Sequence, residues 1–434
     1  MRGIFAIFMI AVSLVACSRP ATQAVASSAT ETSNAYSHGS TASVSTTTSA
    51  SPNDPKALRT LKNSSQTNNA NSWDSAAAAK YLDQREVWWT EWQGAARDHE
   101  TFCVSCHTAV PYALSRPALR KVSGQDVRSA PELKLVQNVA KRVRLWKQVE
   151  PFYCDKEYGT GKTAESRGTE SVLNALILAN YDAESGHLSP DTRAAFENMW
   201  ALQETTGTKK RGAWSWLQFG LAPWEANDSQ YYGATLAAVA VGLAPENYRD
   251  TPEIQGNLKV LSEYLQRQLS SQSTLNRLFL LWASTKLPGL LNSAQQKSIV
   301  SEVLSKQQKD DGWNLPALAG TWRGWSLSAF LRTWKREDGT GQEILSDGFA
   351  TGLTVFVLEE ARIPRDNEQL KRGRSWLMRN QNEQEGLWRT SSLNKNRLPS
   401  SNIGHFMSDA ATAYAVLALT EDQGAAEAIS AAHR

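Results

Sequence analysis

The sequence predicts an all-α body folded as an (α/α)6-type toroid, a closed ring of inner and outer helices, with a disordered N-terminal tether. Amphipathic segments alternate with segments that are apolar almost all round. Short sequence patterns recur at a spacing of about 60 residues, or twice that, which is typical of repeat architectures. Residues 17–72 are mostly Ser, Thr, Ala and Asn, and they contain too few large apolar side chains to bury a core.

The two kinds of segment predict two rings of helices. Polar faces mark the outer helices, which we place near 75–97, 131–149, 190–203, 252–269, 292–308 and 366–381. The inner helices are apolar nearly all round and fall near 108–121, 166–180, 229–243, 274–286, 347–361 and 409–419. Six of each predict a closed ring, because an open stack would leave two apolar ends uncovered. A further helix near 322–336 is interpreted as an insertion.

Three segments share a glutamine at a helix end, a polar turn, a glycine and a tryptophan. They run from Gln203 to Trp214, from Gln308 to Trp313 and from Gln381 to Trp388. They resemble the QW motifs of terpenoid cyclases, whose α/α toroid is similar to that of protein prenyltransferases. The resemblance covers residues 130–420 approximately and implies that these glutamines and tryptophans tie one helical hairpin to the next. The chain lacks the D-x-D-D motif of squalene-hopene-type cyclases and a convincing prenyltransferase zinc set, so neither chemistry is expected.

The N-terminus predicts export and anchoring. After Arg2, residues 4–15 form an apolar run of signal-peptide length that is too short to span a bilayer. The run ends in Leu14-Val15-Ala16-Cys17, which resembles the lipobox of bacterial lipoproteins. This resemblance implies that residues 1–16 are a lipoprotein signal peptide and that Cys17 is lipidated. An ordinary secretory signal that contains a cysteine is the alternative.

The expected location is the periplasmic side of a bacterial membrane. Ser18 resembles the outer-membrane sorting pattern of Gram-negative lipoproteins, so the outer membrane is favoured in a Gram-negative source. Residues 17–72 would tether the folded body through the lipid anchor, with a reach of about 40 Å for a flexible coil.

The segment Cys103-Val104-Ser105-Cys106-His107 is a C-x-x-C-H motif. In an exported protein this spacing predicts covalent haem c, with Cys103 and Cys106 as thioethers and His107 as the proximal iron ligand. Two alternatives stay open: a disulfide between the two cysteines, and a zinc site of Cys103, Cys106, His107 and Cys154. Residues 73–130 are interpreted as a haem-attachment hairpin that forms the first repeat, and residues 131–434 as the other toroid repeats.

Acidic residues recur near the starts of four other predicted inner helices, at Glu170, Asp228, Asp347 and Asp409. Inner helices of a toroid run parallel, so these acids and His107 should surround one mouth of the ring. Helix N-capping is the simplest explanation. Cation binding, proton transfer or catalysis at the mouth are the alternatives.

The distal haem ligand must come from another part of the chain. His405 and Met407 precede the last inner helix, which should close the ring against the first. Either side chain is therefore a candidate sixth ligand, and an open distal face is the alternative.

The net charge of +3 on 434 residues, with basic and acidic residues interspersed, gives no indication of nucleic-acid binding. We therefore expect a membrane-tethered periplasmic c-type haem protein. It would act in electron transfer with a redox partner protein, or in haem-assisted oxidation of an apolar small molecule held in the ring. The alternatives are a non-redox toroid enzyme of lyase or cyclase-like type, and a protein that binds a hydrophobic ligand.

Overall fold

The computed structural model describes residues 72–320 and 335–432, with side chains described up to residue 420. Within these ranges each long outer helix is followed by an inner one. The pairs are α1 (Ser75–Glu91) and α2 (Ala109–Val122), α3 (Ala130–Arg144) and α4 (Lys162–Ala183), α5 (Pro190–Ala201) and α6 (Ser229–Leu243), α7 (Gln255–Gln268) and α8 (Thr274–Lys286), α9 (Ser293–Leu304) and α10 (Gly348–Glu360), and α11 (Glu368–Arg379) and α12 (Phe406–Ala432).

The inner helices form a closed ring. Helix α2 packs against α4, α4 against α6, α6 against α8, α8 against α10 and α10 against α12, and α12 packs back against α2. The outer helices cover this ring, for example α5 on α4, α9 on α8 and α11 on α10. The predicted all-α toroid is therefore confirmed, with the last inner helix packed against the first.

Burial follows the predicted division of the helices. In α6 the side chains from Ser229 to Val241 are all buried, whereas the outer helix α11 buries one stripe that includes Leu370 and Leu377. The outer helix α3 begins in a capping box between Ser129 and Glu132, which satisfies free backbone N–H groups at its start. None of the helices among the described residues is long and apolar enough to cross a membrane.

The first outer helix is shorter than predicted. It ends at Glu91 instead of continuing to residue 97, and a small antiparallel pair of strands follows, β1 (Ala96–Arg97) and β2 (Thr101–Phe102). His99 and Glu100 adopt left-handed backbone conformations in the turn, with φ of 52° and 54°. A right-handed helix cannot continue through such residues, so the chain turns back there.

The remaining elements of residues 72–320 and 335–432 are single turns. Two short α-helical turns span Asp155–Tyr158 and Leu315–Ala319, and 3₁₀ turns span Tyr248–Asp250, Pro252–Ile254, Leu269–Ser271 and Ile403–His405. The predicted signal peptide, Cys17 and the tether up to residue 71 lie outside the described residues, as does most of the helix predicted near 322–336.

The repeat tryptophans occupy equivalent positions, as predicted. Trp214, Trp313 and Trp388 are at most 1% exposed. Each indole N–H donates to a backbone oxygen near the end of the preceding outer helix, at Met199 (2.6 Å), Val303 (2.8 Å) and Leu377 (2.8 Å) respectively. Each tryptophan thus fixes the turn that leads from an outer helix to the next inner helix.

Two of the three predicted glutamines join neighbouring hairpins. The Gln203 amide donates to Gly212 O and to Asn257 O in α7, both at 3.1 Å. Gln381 donates to Gly386 O (2.9 Å) and to Asp74 O (2.8 Å), the residue that caps α1.

The third glutamine is Gln307, and the prediction of Gln308 is wrong by one residue. Gln307 donates to Asp311 O and to Gln369 O in α11, both at 2.8 Å. As in the other copies, the local acceptor lies two residues before the tryptophan. The Gln308 amide reaches only Lys306 O, which is in its own turn.

Candidate functional site

The C-x-x-C-H loop lies between β2 and the start of α2, at the mouth formed by the N-terminal ends of the inner helices. The backbone N–H of Cys103 donates to Ala95 O (2.8 Å), and the Trp89 indole donates to Cys103 O (2.7 Å). Ser105 Oγ accepts from the N–H groups of Thr108 and Ala109, so it caps the first turn of α2. Hydrogen bonds therefore fix the loop at its start, at Cys103, and at its end, where it leads into α2.

Both thiols of the motif are buried and unpaired. Cys103 is 7% exposed and Cys106 is 8% exposed, and each is a free cysteine. Burial raises the pKa of the Cys103 thiol to about 11 and raises that of Cys106 well above its usual value. The loop thus presents two neutral thiols at neutral pH.

His107 lies in a cluster of aromatic rings. Its imidazole stacks on Phe406 with ring centroids 3.8 Å apart, meets the edge of Trp89 at 5.0 Å and lies 6.1 Å from Trp224. Burial lowers the pKa of His107 to about 3, so the ring is neutral at pH 7. A neutral imidazole is the form that binds metals.

Hydrogen bonds fix the tautomer of His107. Its Nδ1 is 2.8 Å from Thr108 Oγ, and this hydroxyl donates its single proton to Asp409 Oδ2 at 2.7 Å. Thr108 can therefore only accept from His107, which places the imidazole proton on Nδ1. The lone pair is then on Nε2, in the arrangement typical of a metal-ligating histidine whose other ring nitrogen donates a hydrogen bond.

The same carboxylate reaches a second imidazole. Asp409 is 1% exposed and also accepts from Arg85 Nε (2.8 Å) and from the Tyr81 hydroxyl (2.6 Å). Tyr81 Oη lies 3.1 Å from His405 Nδ1, and because its proton is donated to Asp409 it accepts from His405. One carboxylate therefore holds both His107 and His405 as Nδ1–H tautomers, each through a hydroxyl group.

The distal-ligand candidates lie beside this network. The 3₁₀ turn Ile403–His405 leads into α12, so His405, Phe406 and Met407 are at the same mouth as His107. Phe406 makes the direct ring contact with His107, while Met407 is 5% exposed. The sixth ligand, His405 or Met407, stays a prediction.

N-capping explains only one of the four predicted acids well. Asp347 is the N-cap of α10 and accepts from Ala350 N–H (2.9 Å), and also from Leu315 N–H and the Thr390 hydroxyl. Burial raises the pKa of Asp347 to about 6. Asp228 occupies the N-cap position of α6 without a side-chain cap bond and accepts from Asn276 on α8.

Capping is the wrong explanation for Glu170 and Asp409, because both lie inside their helices. Glu170 is eight residues into α4 and completely buried, where it pairs with Arg142 from α3 at 2.5 Å. Asp409 lies in the first turn of α12 and forms the network described above.

The zinc alternative and a shared cation site gain no geometric support. Across residues 72–320 and 335–420, no three His, Cys, Asp or Glu side chains are arranged to hold a metal ion. Cys154, the fourth ligand of the zinc alternative, is the buried N-cap residue of the turn Asp155–Tyr158. The acids at the mouth therefore serve separate ion pairs, caps and hydrogen bonds.

The structure adds residues that the sequence did not indicate. A turn with a bridge between Leu221 and Glu225 brings Trp224 close to His107 and is held by Asn394, whose side chain bonds both Ala222 N–H and Ala222 O. Burial raises the pKa of Glu225 to about 7, and its carboxyl helps to raise the pKa of both motif thiols. No sequence pattern marks this turn, because its position depends on contacts with distant residues.

The fold and the site together define a helical toroid with a C-x-x-C-H loop at one mouth. No protein-family model matches the chain. No curated protein matches it either. Among solved structures, a glycosidase variant is similar over 80% of this chain and 98% of its own, with 12% identity and a TM-score of 0.43.

Proposed function

We propose that this protein is a lipid-anchored c-type haem protein on the periplasmic side of a bacterial membrane. It would act in electron transfer or in haem-assisted oxidation of an apolar ligand. One observation carries the proposal: a single loop presents two buried free thiols and an imidazole whose Nε2 carries the lone pair. These are the groups that covalent haem c requires from a protein.

The donor set fits the group. Cys103 and Cys106 would form the thioethers, His107 Nε2 would bind the iron, and the haem would supply one-electron or oxygen chemistry. Thr108 and Asp409 orient the imidazole, and Trp89, Phe406 and Trp224 pack around it as apolar rings. His405, already held as its Nδ1–H tautomer, is favoured over Met407 as sixth ligand.

Aromatic side chains fill the interior of the ring, so a ligand that entered it would have to be apolar and displace them. Tyr232 on α6 lies 4.7 Å from Phe279 on α8, which lies 6.2 Å from Tyr414 on α12. Helices α8 and α12 are not neighbours in the ring, so these aromatic side chains meet across its interior.

The test is the visible spectrum of the full chain, produced together with a cytochrome c maturation system. We expect a c-type α-band and haem that stays with the protein after acid–acetone extraction. Replacing both thiols, Cys103→Ala with Cys106→Ala, should release the haem. Cys154→Ala is the matched control and should keep it, because Cys154 lies outside the motif.

Another metal would overturn this proposal. Wild-type protein with one zinc per chain and no haem would favour the alternative, a non-redox toroid enzyme or hydrophobic-ligand-binding protein. In that case loss of zinc in Cys154→Ala would identify Cys154 as the fourth ligand.

A further inference from the structure

A cleft lies at the opposite end of the ring from the C-x-x-C-H loop. It has a volume of about 460 Å³ and lies between the C-terminal ends of α8 and α10 and the outer helix α9. This volume is within the range of about 300–1,000 Å³ found for small-molecule sites. The size of this cleft is therefore the first indication that it binds a small molecule.

The floor of this cleft is apolar and its rim is cationic. Leu281, Val300 and Ile363 supply apolar surface, and Lys297 and Arg362 stand at the rim. Glu360 also lines the cleft, but Lys286 neutralises it in an ion pair of 2.6 Å. Within the part of the chain that the structure describes, neither Lys297 nor Arg362 forms an ion pair, so the rim carries net positive charge.

The backbone of Arg362 is in a strained, left-handed conformation. It follows the last turn of α10 with φ of 57°, and the N–H groups of Arg362 and Ile363 donate to Glu359 O and Leu358 O. This is a Schellman-type helix end, where glycine is the usual residue because a side chain is strained in the left-handed region. This helix end places Arg362 where its side chain lines the cleft.

We propose that this cleft binds an apolar small molecule that carries one anionic group. The apolar part would cover Leu281, Val300 and Ile363, and the anionic group would accept from Lys297 and Arg362 in charge-assisted hydrogen bonds. The proposal does not depend on the haem, because the cleft lies at the other end of the inner helices.

Calorimetric titration of the full chain tests the proposal with four probes. Dodecanoate and dodecyl phosphate each join a twelve-carbon chain to an anionic group, and both are used below their critical micelle concentrations. Dodecanol has the same alkyl chain without a charge, and acetate has a carboxylate without the long chain. We expect one or both of the anionic amphiphiles to bind at least about tenfold more tightly than dodecanol or acetate, which is about 1.4 kcal/mol. Which of the two binds more tightly identifies the anionic group.

Matched variants locate the binding. Lys297→Gln and Arg362→Gly should each weaken the binding of the anionic amphiphile about tenfold. Arg362→Lys keeps the positive charge and should retain most of the affinity. Lys309→Gln, an exposed lysine outside the cleft, is the control and should change nothing. Arg362→Gly should also unfold at the same or a higher temperature than wild type, because it relieves the left-handed strain, so its loss of affinity cannot come from misfolding.

Two results would overturn the proposal. Equal affinity for dodecanoate, dodecyl phosphate and dodecanol would show that the cationic rim does not contribute to binding. Binding that is unchanged in both Lys297→Gln and Arg362→Gly would place the ligand elsewhere.

Discussion

Thr108 decides which nitrogen of His107 can bind a metal. Its hydroxyl donates to Asp409 and accepts from Nδ1, so the lone pair is on Nε2. A hydrogen bond from Nδ1–H also makes the coordinated imidazole a stronger donor, which stabilises the oxidised iron. This single hydroxyl therefore connects a buried carboxylate to the proposed haem.

Replacing that hydroxyl should change the reduction potential. Thr108→Val keeps the shape of the side chain, but it removes the acceptor of Nδ1–H. We expect the midpoint potential to rise, on the order of 59 mV for a tenfold change in the one-electron equilibrium, while Thr108→Ser should stay near wild type. Spectroelectrochemical titration measures the shift.

The two possible failures can be separated. If Thr108→Val and wild type have the same potential, the hydroxyl does not act on the iron ligand. If the protein carries no haem, nitrogen NMR of His107 still tests the hydrogen bond, and wild type should show the Nδ1–H tautomer.

At this scale the sequence indicated the motif but not its surroundings. The spacing of Cys103, Cys106 and His107 is local, so it can be read directly. The sequence marks Asp409 only as an acid near a helix start, yet its role depends on Tyr81 and Arg85, which are more than 300 residues away in sequence. Trp224 reaches His107 through a turn with no sequence pattern of its own.

At the scale of the elements, the connection between α9 and α11 shows that a repeat pattern predicts a contact but not which of two adjacent residues makes it. Two consecutive glutamines, Gln307 and Gln308, precede the turn to Trp313. Only Gln307 reaches the next outer helix, where it donates to Gln369 O and accepts from Arg372. Sequence spacing cannot show which of two neighbouring glutamines bonds to the next hairpin. The direction in which each side chain leaves the helix end decides this.

The two glutamines should differ in their contribution to stability. Gln307→Ala removes hydrogen bonds that join two hairpins, and we expect a loss of about 1–2 kcal/mol in the free energy of unfolding. Gln308→Ala removes one bond within its own turn and should cost less than about 0.5 kcal/mol. Urea denaturation measures both, and equal losses would contradict the assignment of Gln307.

Strong apolar periodicity predicts the existence and order of the helices, although α3 ends at Arg144 instead of residue 149 and α9 at Leu304 instead of residue 308. The inner helix predicted at 274–286 is α8, with the same bounds, and the outer helix predicted at 190–203 is α5, two residues shorter. The end of α1 differs from the prediction because the small two-stranded turn over residues 96–102 has no periodicity that the sequence could show.

On the scale of the whole molecule, the ring is closed by a buried polar contact as well as by apolar packing. Tyr81 and Arg85 of α1 and Thr108 before α2 all bond to Asp409 of α12. The first and last helices are thereby joined at the mouth that carries the C-x-x-C-H loop. Closure was predictable from the count of inner and outer helices, but this carboxylate was not, since no local pattern distinguishes it from a cap.

Three acids that lose water on folding give the molecule a pH-dependent stability, and of these Glu86 is fully buried. Burial raises the pKa of Glu86 to about 8, that of Glu225 to about 7 and that of Asp347 to about 6. In each case the folded protein holds a proton that the unfolded chain releases at lower pH. Stability is therefore complete below the ordinary carboxyl pKa and is lost as the pH rises through the raised value.

Glu86 should account for the largest part of this loss. It is 0% exposed on α1, and neither carboxyl oxygen has a hydrogen-bond partner among the described residues. Between about pH 4.5 and pH 8 a single group of this kind lowers the free energy of unfolding by up to about 1.4 kcal/mol per pH unit. Glu86→Gln keeps the shape and removes the charge, so it should match wild type near pH 4 and exceed it in stability at pH 8.

The comparison is made by urea denaturation at intervals from pH 4 to pH 9. Glu91→Gln is the matched control, because Glu91 lies on the same helix but is exposed, and its stability curve should follow that of wild type. A Glu86→Gln curve that runs parallel to wild type over the whole range would show that Glu86 is ionised in the folded protein. In that case an ion or a water molecule must compensate its charge within the ring, and the loss of stability at high pH must come from Glu225 and Asp347.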